Sequence, residues 1–426
     1  MDQRIIYRER PRYITAIIQY LFLYLMFITH GSVIYNINEQ PLSYFIIAVC
    51  CVFILIRKGM YRNYYVLHAA ILMAFMFLLS LMHSQPYFMK VAIRIVESLL
   101  LVVVTYKIDT KNFICRFVKL TLFFAVVSLF FYFIQLVNPK ILETILFKQP
   151  DVVGWEEADF YGKWLYTYRG IYALHRNNGI FTEPGLYQML INASLAVLLF
   201  FPQLVSFRKI QHSTSVTILV ITLITTSSTT GYIGLLIIII AYFLKRNRLK
   251  YDKGVKRYAY LMLTTVVIAS LLDYYIRAEN SILYLNVIEK FEQIGILDNA
   301  SGGARLSVIE ICIGLFSLSP IRLLYGFGYS AVSSAIALAG VNTAGAFVFY
   351  FLAAAGLPIT IYLLFPYLFK TLKYKNRLIE SIVFILLYFN SSLAQSREAY
   401  PALLLLPFIL VEMSKLEEEK IQLTSD

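Results

Sequence analysis

The stretch at residues 120–137 reads LTLFFAVVSLFFYFIQLV and carries no charged side chain in 18 positions. A helix rises about 1.5 Å per residue, so this stretch extends for about 27 Å, close to the roughly 30 Å of a bilayer's hydrocarbon core. A helix in a soluble protein normally presents a polar face to water within that length. The stretch therefore predicts a transmembrane helix.

Similar apolar runs recur along the whole chain. Of its 426 residues, 59% are hydrophobic and 15% are charged, and the mean hydropathy is +0.68. Soluble domains rarely have such a composition. We predict an all-α, polytopic integral membrane protein that forms a single membrane domain, residues 1–426, with about twelve transmembrane helices. The predicted spans are residues 13–35, 42–56, 64–82, 89–106, 120–137, 185–205, 215–226, 231–244, 258–276, 343–369, 378–394 and 400–414.

Lysine and arginine determine the predicted orientation. The polar run at 225–231 suits a turn, which makes residues 215–244 a hairpin of two spans rather than one long helix. With that hairpin, 26 of the 38 lysines and arginines fall on one side of the membrane, seven of them within 245–257. Because positive residues concentrate in cytoplasmic loops, this side is predicted to be cytoplasmic, together with both termini. The first apolar run lacks a small-residue cleavage pattern and is interpreted as a retained span.

Two predicted external loops are long, at residues 138–184 and 277–342. Long structured loops are where polytopic enzymes commonly carry their chemistry. The first loop holds both tryptophans of the chain, Trp155 and Trp164, among tyrosines and acidic residues. Two interpretations are open, because aromatic faces stack on sugar rings and also form belts at the membrane surface.

The second long loop contains two segments that predict interfacial helices. Residues 281–295 repeat apolar side chains every third position, which indicates a helix lying on the membrane surface. Residues 306–319 form a 14-residue apolar run closed by Pro320, which is too short to span and suits a re-entrant or interfacial helix. The sequence YGFGY at 325–329 predicts a flexible turn.

The sequence RNNGIFTEPG at 176–185 enters a predicted span. It resembles the R-x-x-G-x-F-x-E-P element of bacterial oligosaccharide repeat-unit polymerases, the Wzy-type enzymes of O-antigen and capsule synthesis. Three further features follow the family's order: the Ser/Thr-Gly hairpin at 227–232, an S-G-G-x-R … P-x-x-x-x-x-G-x-G run at 301–328, and a span led by Asn342 and containing Gly356. The resemblance covers under half of the chain.

Two positions depart from the pattern of the related O-antigen ligases. Many ligases and some polymerases carry an Arg in the Ser-rich hairpin and a His before the Asn of the later span. This chain has Thr229 and Val341 at those places. The departure weakens a ligase interpretation, and no mechanism that relies on that His carries over.

The resemblance implies a glycosyltransferase that polymerises undecaprenyl-diphosphate-linked oligosaccharide repeat units into a surface polysaccharide: O-antigen, capsule or exopolysaccharide. It implies action on the external face of the bacterial cytoplasmic (inner) membrane. The implied partners are the carrier-linked oligosaccharides, the lipid bilayer, a chain-length regulator and a flippase. Topology and anionic headgroups explain the net charge of +13, so no nucleic-acid partner is predicted.

An O-antigen ligase and a lipid-linked oligosaccharide flippase or other transporter are the alternatives. Arg94 and Glu97, three positions apart in a predicted span, motivate the transporter, because transporters place ionisable residues within the membrane. The spacing puts both side chains on one helix face, and we interpret them as a structural ion pair.

The diphosphate leaving group of such a reaction must be stabilised by metal ions or arginines. The chain has eight aspartates, no D-x-D pair and no aspartate in the first external loop, residues 30–41. We therefore expect a metal-independent transfer that uses no cofactor. Arg176 and Arg305 are predicted to bind the diphosphate, and Glu183 is predicted to act as the general base. The alternative for Glu183 is pairing with a helix dipole, since Pro184 suits the first turn of a helix.

Six further residues are predicted to bind substrate. His175 is also the alternative general base, with an ordinary surface histidine as the simpler interpretation. Contacts with lipid headgroups or a salt bridge would equally explain two of the arginines in this set. The predicted substrate-binding residues are Arg169, His175, Asn342, Arg397, Trp155 and Trp164.

Overall fold

The structure is a computed structural model that describes residues 13–57, 64–150, 159–170, 175–205, 209–246, 275, 301–341, 346–364, 377–395 and 405–425. The predicted span at 258–276 and the predicted surface helix at 281–295 lie outside these ranges, except for residue 275.

The described residues form helices and no strand, apart from three isolated bridges between residue pairs. All-helical architecture agrees with the predicted fold class. The helices are α1 (Tyr13–Thr29), α2 (Val33–Ile37), α3 (Glu39–Ile56), α4 (Tyr64–His83), α5 (Tyr87–Ile108), α6 (Phe113–Val137), α7 (Pro139–Ile145), α8 (Pro184–Phe200), α9 (Lys209–Thr225), α10 (Thr229–Arg246), α11 (Ser301–Leu318), α12 (Arg322–Tyr325), α13 (Tyr329–Leu338), α14 (Phe347–Ala355), α15 (Leu378–Ala394) and α16 (Leu406–Ser425).

Three described helices, α3, α4 and α6, are long and apolar enough to cross a membrane, judged by length and composition. Shorter apolar helices occur in α1, α8, α9, α10, α13 and α15. This set of helices is compatible with a membrane protein. The number of twelve spans and their orientation stay predictions.

The first predicted span, residues 13–35, is not one helix in the structure. α1 ends at Thr29, because Gly31 takes a φ of 104° that a helix does not allow. Ser32 then begins α2, and its Oγ accepts a hydrogen bond from the amide of Tyr35 at 3.2 Å. The residues predicted to complete the first span instead form a short separate helix.

The last third of the chain also differs from the predicted boundaries. The predicted span at 343–369 is interrupted at Gly356, whose φ of 86° ends α14 before a second helical stretch at 357–364. The predicted interfacial run at 306–319 is helical, but α11 begins earlier, at Ser301.

The predicted hairpin at 225–231 is confirmed. α9 ends at Thr225 and α10 begins at Thr229, with Ser227 in the left-handed region at a φ of 51°. The hydroxyl of Thr226 donates to the carbonyl of Leu223 at 2.6 Å. Ser and Thr hydroxyls that bond to nearby carbonyls in this way satisfy the backbone where a helix stops.

α8 lies at the centre of the described helices and is buried on nearly every face. Gly231 and Gly234 of α10 pack directly against it, and a Cβ on Gly231 would lie 3.0 Å from the Cβ of Gln188. The side-chain Nδ2 of Asn192 donates to the carbonyl of Gly231 at 3.2 Å. Small residues allow helix backbones to approach this closely. The N-terminus of α8 is therefore held in a fixed position.

Two polar contacts join helix ends to one another. Lys245 at the end of α10 forms an ion pair with Glu380 at the start of α15. The side chain of Arg57, after α3, donates to the carbonyl of Lys107 near the end of α5. All four residues belong to the side that the charge count predicts to be cytoplasmic.

The charged residues of α5 have partners on other helices. Arg94 forms an ion pair with Glu39 at the start of α3. Glu97 accepts hydrogen bonds from Tyr35 Oη at 2.6 Å and from Ser43 Oγ at 2.9 Å. These contacts join α2, α3 and α5, a role that the spacing along one helix did not predict.

Candidate functional site

Asn177, the second residue of the segment 176–185, fixes the segment to the neighbouring helices. Asn177 is fully buried, and its backbone amide donates to the carbonyl of Thr225 at 2.9 Å. Its side-chain amide donates to Ser128 Oγ at 3.2 Å and to Thr225 Oγ1 at 3.0 Å. The end of α9 and Ser128 in the C-terminal half of α6 thereby hold the start of the segment.

Gly179 lets the segment turn over the first turns of α8. Its φ is 57°, and a Cβ there would lie 2.8 Å from the ring of Tyr187. Its carbonyl accepts a hydrogen bond from the amide of Thr167 at 2.6 Å, which joins the segment to the earlier part of the same loop. Only glycine combines this backbone conformation with this close approach.

The end of the segment packs against the link between α1 and α2. The amide of Thr182 donates to the carbonyl of Gly31 at 3.2 Å, and Asn36 Nδ2 donates to the hydroxyl of Thr182 at 3.2 Å. The ring of Phe181 is buried and lies 5.7 Å from the ring of His30. The residue that follows Thr182, Glu183, is thus placed at a defined point where α8 begins.

The segment directs Arg176 towards other charged residues. Burial lowers the pKa of the Arg176 guanidinium, the Glu183 carboxylate opposes that shift, and Arg169 and Arg305 lower the pKa further by charge repulsion. Burial also lowers the pKa of Arg169, again opposed by Glu183. The fold therefore brings together four of the predicted site residues, from two long loops.

The Nε atom of Arg176 is buried and has no hydrogen-bond partner among the described residues. A buried donor without a partner costs about 1–3 kcal/mol. Glu183, Arg169 and Arg305 all lie close enough to Arg176 to shift its pKa by their charge, so these four residues form one cluster. We call this cluster the arginine site, and its chemistry suits an anion with several oxygen atoms.

Glu183 occupies the N-cap position of α8, but its side chain accepts no hydrogen bond from the amides of that helix. Its Oε2 instead accepts a hydrogen bond from Gln395 Nε2 at 3.2 Å. Helix α8 begins with Pro184, as predicted. The observed partner is thus a side chain beyond the end of α15, and the sequence analysis did not select Gln395. The sequence feature that could have identified Gln395 is its position as a polar residue directly after an apolar span, on the predicted external side.

Arg305 reaches the site from α11, which packs against α14. The turn after α12 is hydrogen-bonded to α14. The amides of Phe327 and Gly328 donate to the carbonyls of Ala353 and Ala354 at 2.8 and 3.0 Å. A Cβ on Gly326 would overlap the Ala354 carbonyl. The predicted glycine turn at 325–329 is thus present, and its backbone is hydrogen-bonded to α14.

The other predicted site residues are not all in the arginine site. The carbonyl of His175 accepts hydrogen bonds from Tyr132 Oη at 3.0 Å and Ser227 Oγ at 3.1 Å, while its side chain is exposed. Trp164 is exposed, with the ammonium of Lys163 over its ring at 5.9 Å. Trp155, Asn342 and Arg397 lie outside the described residues.

Tyr232 was also missed by the sequence analysis. It interacts electrostatically with Arg176, and its hydroxyl donates to the carbonyl of Ile224 at 2.9 Å. The sequence predicts the Ser/Thr-Gly hairpin that contains it as a turn and as a family feature, but it assigns no role to Tyr232. Its last residue, Tyr232, is the one that comes close to the arginine site.

Within the described ranges, no group of three or more His, Cys, Asp or Glu side chains is arranged to hold a metal ion. Comparisons with protein-family models, with curated proteins and with solved structures found no match to the chain. The resemblance to repeat-unit polymerases thus stays a prediction from the motifs.

Proposed function

We propose that this protein polymerises undecaprenyl-diphosphate-linked oligosaccharide repeat units by metal-independent glycosyl transfer. The observation that carries the proposal is the arginine site. Arg176 and Arg305 are 129 positions apart in sequence, yet they lie close enough for the charge of Arg305 to lower the pKa of Arg176. Glu183 lies near Arg176 as well. Two cations and a carboxylate from distant segments are what such a transfer requires.

In the proposed reaction, an acceptor sugar hydroxyl attacks the anomeric carbon of the donor glycan. The bond from that carbon to the diphosphate oxygen breaks, and undecaprenyl diphosphate leaves with the bonding electron pair. The proton of the attacking hydroxyl passes to the Glu183 carboxylate. The guanidinium groups of Arg176 and Arg305 stabilise the charge that develops on the diphosphate, and the fork of each group matches two phosphate oxygens.

The location of the arginine site supports a reaction at the membrane surface. Glu183 is bonded to Gln395 just beyond the end of α15, whereas Lys245, on the lysine- and arginine-rich side, is paired with Glu380 at the start of the same helix. Under the predicted topology, the site is external and the carrier lipid lies in the adjacent leaflet. The bacterial cytoplasmic membrane is the proposed location, because it is where undecaprenyl carriers present finished repeat units.

The test in cells is deletion of the gene in its host, followed by sizing of the surface glycan. Single-repeat material in place of long chains is the result expected for a polymerase. Complete loss of carrier-exported glycan would instead indicate a flippase, and normal chains that fail to reach their final acceptor would indicate a ligase.

The test in vitro uses purified protein in liposomes with undecaprenyl-diphosphate-linked repeat units. A ladder of lengthening glycans with release of undecaprenyl diphosphate is expected. Liposomes that contain well-folded protein, correct substrate and no ladder would reject the proposal.

A further inference from the structure

We propose that Gln395 is a positioning residue that orients the Glu183 carboxylate for proton abstraction, an inference that rests on the proposed function. The hydrogen bond from Gln395 Nε2 to Glu183 Oε2 measures 3.2 Å. It fixes one carboxylate oxygen and leaves the other available to an acceptor hydroxyl. A carboxylate that serves as a base must present one oxygen in a defined direction.

The backbone of Gln395 is itself held from two sides. Its amide donates to the carbonyl of Ser391 at 3.0 Å, which closes the end of α15. Its carbonyl accepts a hydrogen bond from the amide of Phe347 at 3.4 Å, where α14 begins. The carbonyl of Leu393 accepts a further hydrogen bond from the amide of Ala346 at 3.1 Å. The side chain of Gln395 therefore projects from a rigid junction of two helices.

Gly185 provides the space in which the Gln395 amide lies. A Cβ on Gly185 would overlap Gln395 Nε2 and would lie 3.9 Å from Glu183 Oε2. The glycine follows directly on Glu183 and Pro184, so the carboxylate and the space for its hydrogen-bond donor belong to the same three residues. No other side-chain donor to Glu183 occurs among the described residues.

Gln395→Ala and Gln395→Glu each remove the donor, the second with little change of shape. If Gln395 acts through Glu183, each variant lowers kcat in the liposome assay about 10- to 100-fold, since misplacement of a reacting group by about 1 Å has effects of that size. KM changes little, because the arginines and not Gln395 bind the diphosphate. Unchanged kcat in Gln395→Glu would overturn the proposal.

A double-mutant cycle separates positioning from a merely structural role. In a Glu183→Gln background, Gln395→Ala should cause no further loss, since the carboxylate on which it acts is absent. Independent, multiplicative losses in the double variant would show that Gln395 acts elsewhere.

Gly185→Ala tests the same contact without replacing Gln395, because the added methyl group displaces only the flexible end of the Gln395 side chain. It should reproduce the kcat loss of Gln395→Ala in a folded protein. Gly314→Ala is the matched control, since a Cβ there meets nothing within 4 Å. Full activity in Gly185→Ala would contradict the proposal.

A cross-linking measurement tests the contact without any assay of activity. Glu183→Cys and Gln395→Cys are combined in a chain whose four cysteines are replaced, and oxidation is followed by mass spectrometry of the linked peptides. Cross-linking without polymer formation by the wild-type protein would reject the proposed function and keep the contact. Polymer formation without cross-linking or coupling would reject the role of Gln395 alone.

Discussion

Arg176 is the residue at which sequence and structure support the same chemistry most directly. Its Nε is buried without a hydrogen-bond partner among the described residues, and two further arginines repel it. Such an arrangement is unfavourable for the protein alone and becomes favourable when an anion binds. The buried Nε of Arg176, a donor to which an anion can bind, is the physical reason for proposing an anionic substrate group at the site.

Arg176→Lys and Arg305→Lys should each reduce kcat about a hundredfold, or roughly 2.7 kcal/mol of transition-state stabilisation. Lysine keeps the charge but loses the two-pronged geometry that matches phosphate oxygens. The measurement is the rate of chain growth in liposomes, with expression and folding checked in parallel. Arg322→Lys is the control, because Arg322 lies over the rings of Tyr325 and Phe327 and outside the arginine site. If both Arg176→Lys and Arg305→Lys extend chains at the wild-type rate, neither arginine binds the diphosphate as proposed.

Chelation tests whether arginines alone stabilise the leaving group. Because the chain has no D-x-D pair and the arginine site supplies guanidinium groups, we expect turnover to persist in excess EDTA. The check is the rate of undecaprenyl diphosphate release before and after chelator, with a metal-dependent glycosyltransferase as positive control. Loss of turnover that Mg²⁺ or Mn²⁺ restores would require a metal-based mechanism.

At the scale of elements, the reciprocal fit of two glycines packs α12, which begins four positions after the last residue of α11, against α14. Gly326 approaches the carbonyl of Ala354, and a Cβ on Gly356 would lie 2.7 Å from the carbonyl of Leu324. Both glycines have positive φ, at 75° and 86°. Each backbone therefore fills the space that a side chain on the other would need. Since α11 carries Arg305, this joint contributes to the geometry of the arginine site.

Gly326→Ala should lower the free energy of unfolding by about 3 kcal/mol or more, because a strained backbone and a steric overlap add. Gly340→Ala is the matched control. Its φ is 72°, but a Cβ there has nothing within 4 Å, so a loss of only about 1–2 kcal/mol is expected. The measurement is denaturant unfolding in detergent, compared at equal protein concentration. Equal losses of unfolding free energy in the two variants would contradict the close packing of Gly326 against α14.

At the scale of the whole molecule, three polar contacts mark opposite ends of the predicted spans. One end has the pairs Lys245–Glu380 and Arg57–Lys107, and the other has Glu183 with Gln395. Since lysine and arginine concentrate on cytoplasmic surfaces, the first end is predicted to face the cytoplasm. Under that orientation the arginine site faces outward, as the proposed function requires.

Reporter fusions test this orientation. Fusions after Val137 and after Ile276 should report an external position, and fusions within residues 245–257 should report a cytoplasmic one. The physical reason is that seven lysines and arginines lie within 245–257. Paired reporters that are active on opposite sides of the membrane provide the measurement and its internal control. An external signal from 245–257 would reverse the proposed location of the site.

The sequence by itself determined the helical class and the turn at 225–231, and it singled out the four charged residues that the arginine site contains. The first two follow from local signals, namely apolar runs of membrane length and residues that stop helices. The charged residues stood out because arginines are disfavoured on the predicted external side and because residues 176–185 resemble a family motif. Hydropathy could not detect the breaks at Gly31 and Gly356, because a single glycine barely changes the average over a span.

The tertiary structure alone decided which distant residues meet. The approach of Arg305 to Arg176, the hydrogen bond from Gln395 to Glu183 and the space above Gly185 all join segments that are more than a hundred positions apart. Sequence periodicity describes one helix at a time and carries no information on which helix ends become neighbours. That information arises only when α8 is packed at the centre and the helices around it bring their ends to its N-terminus.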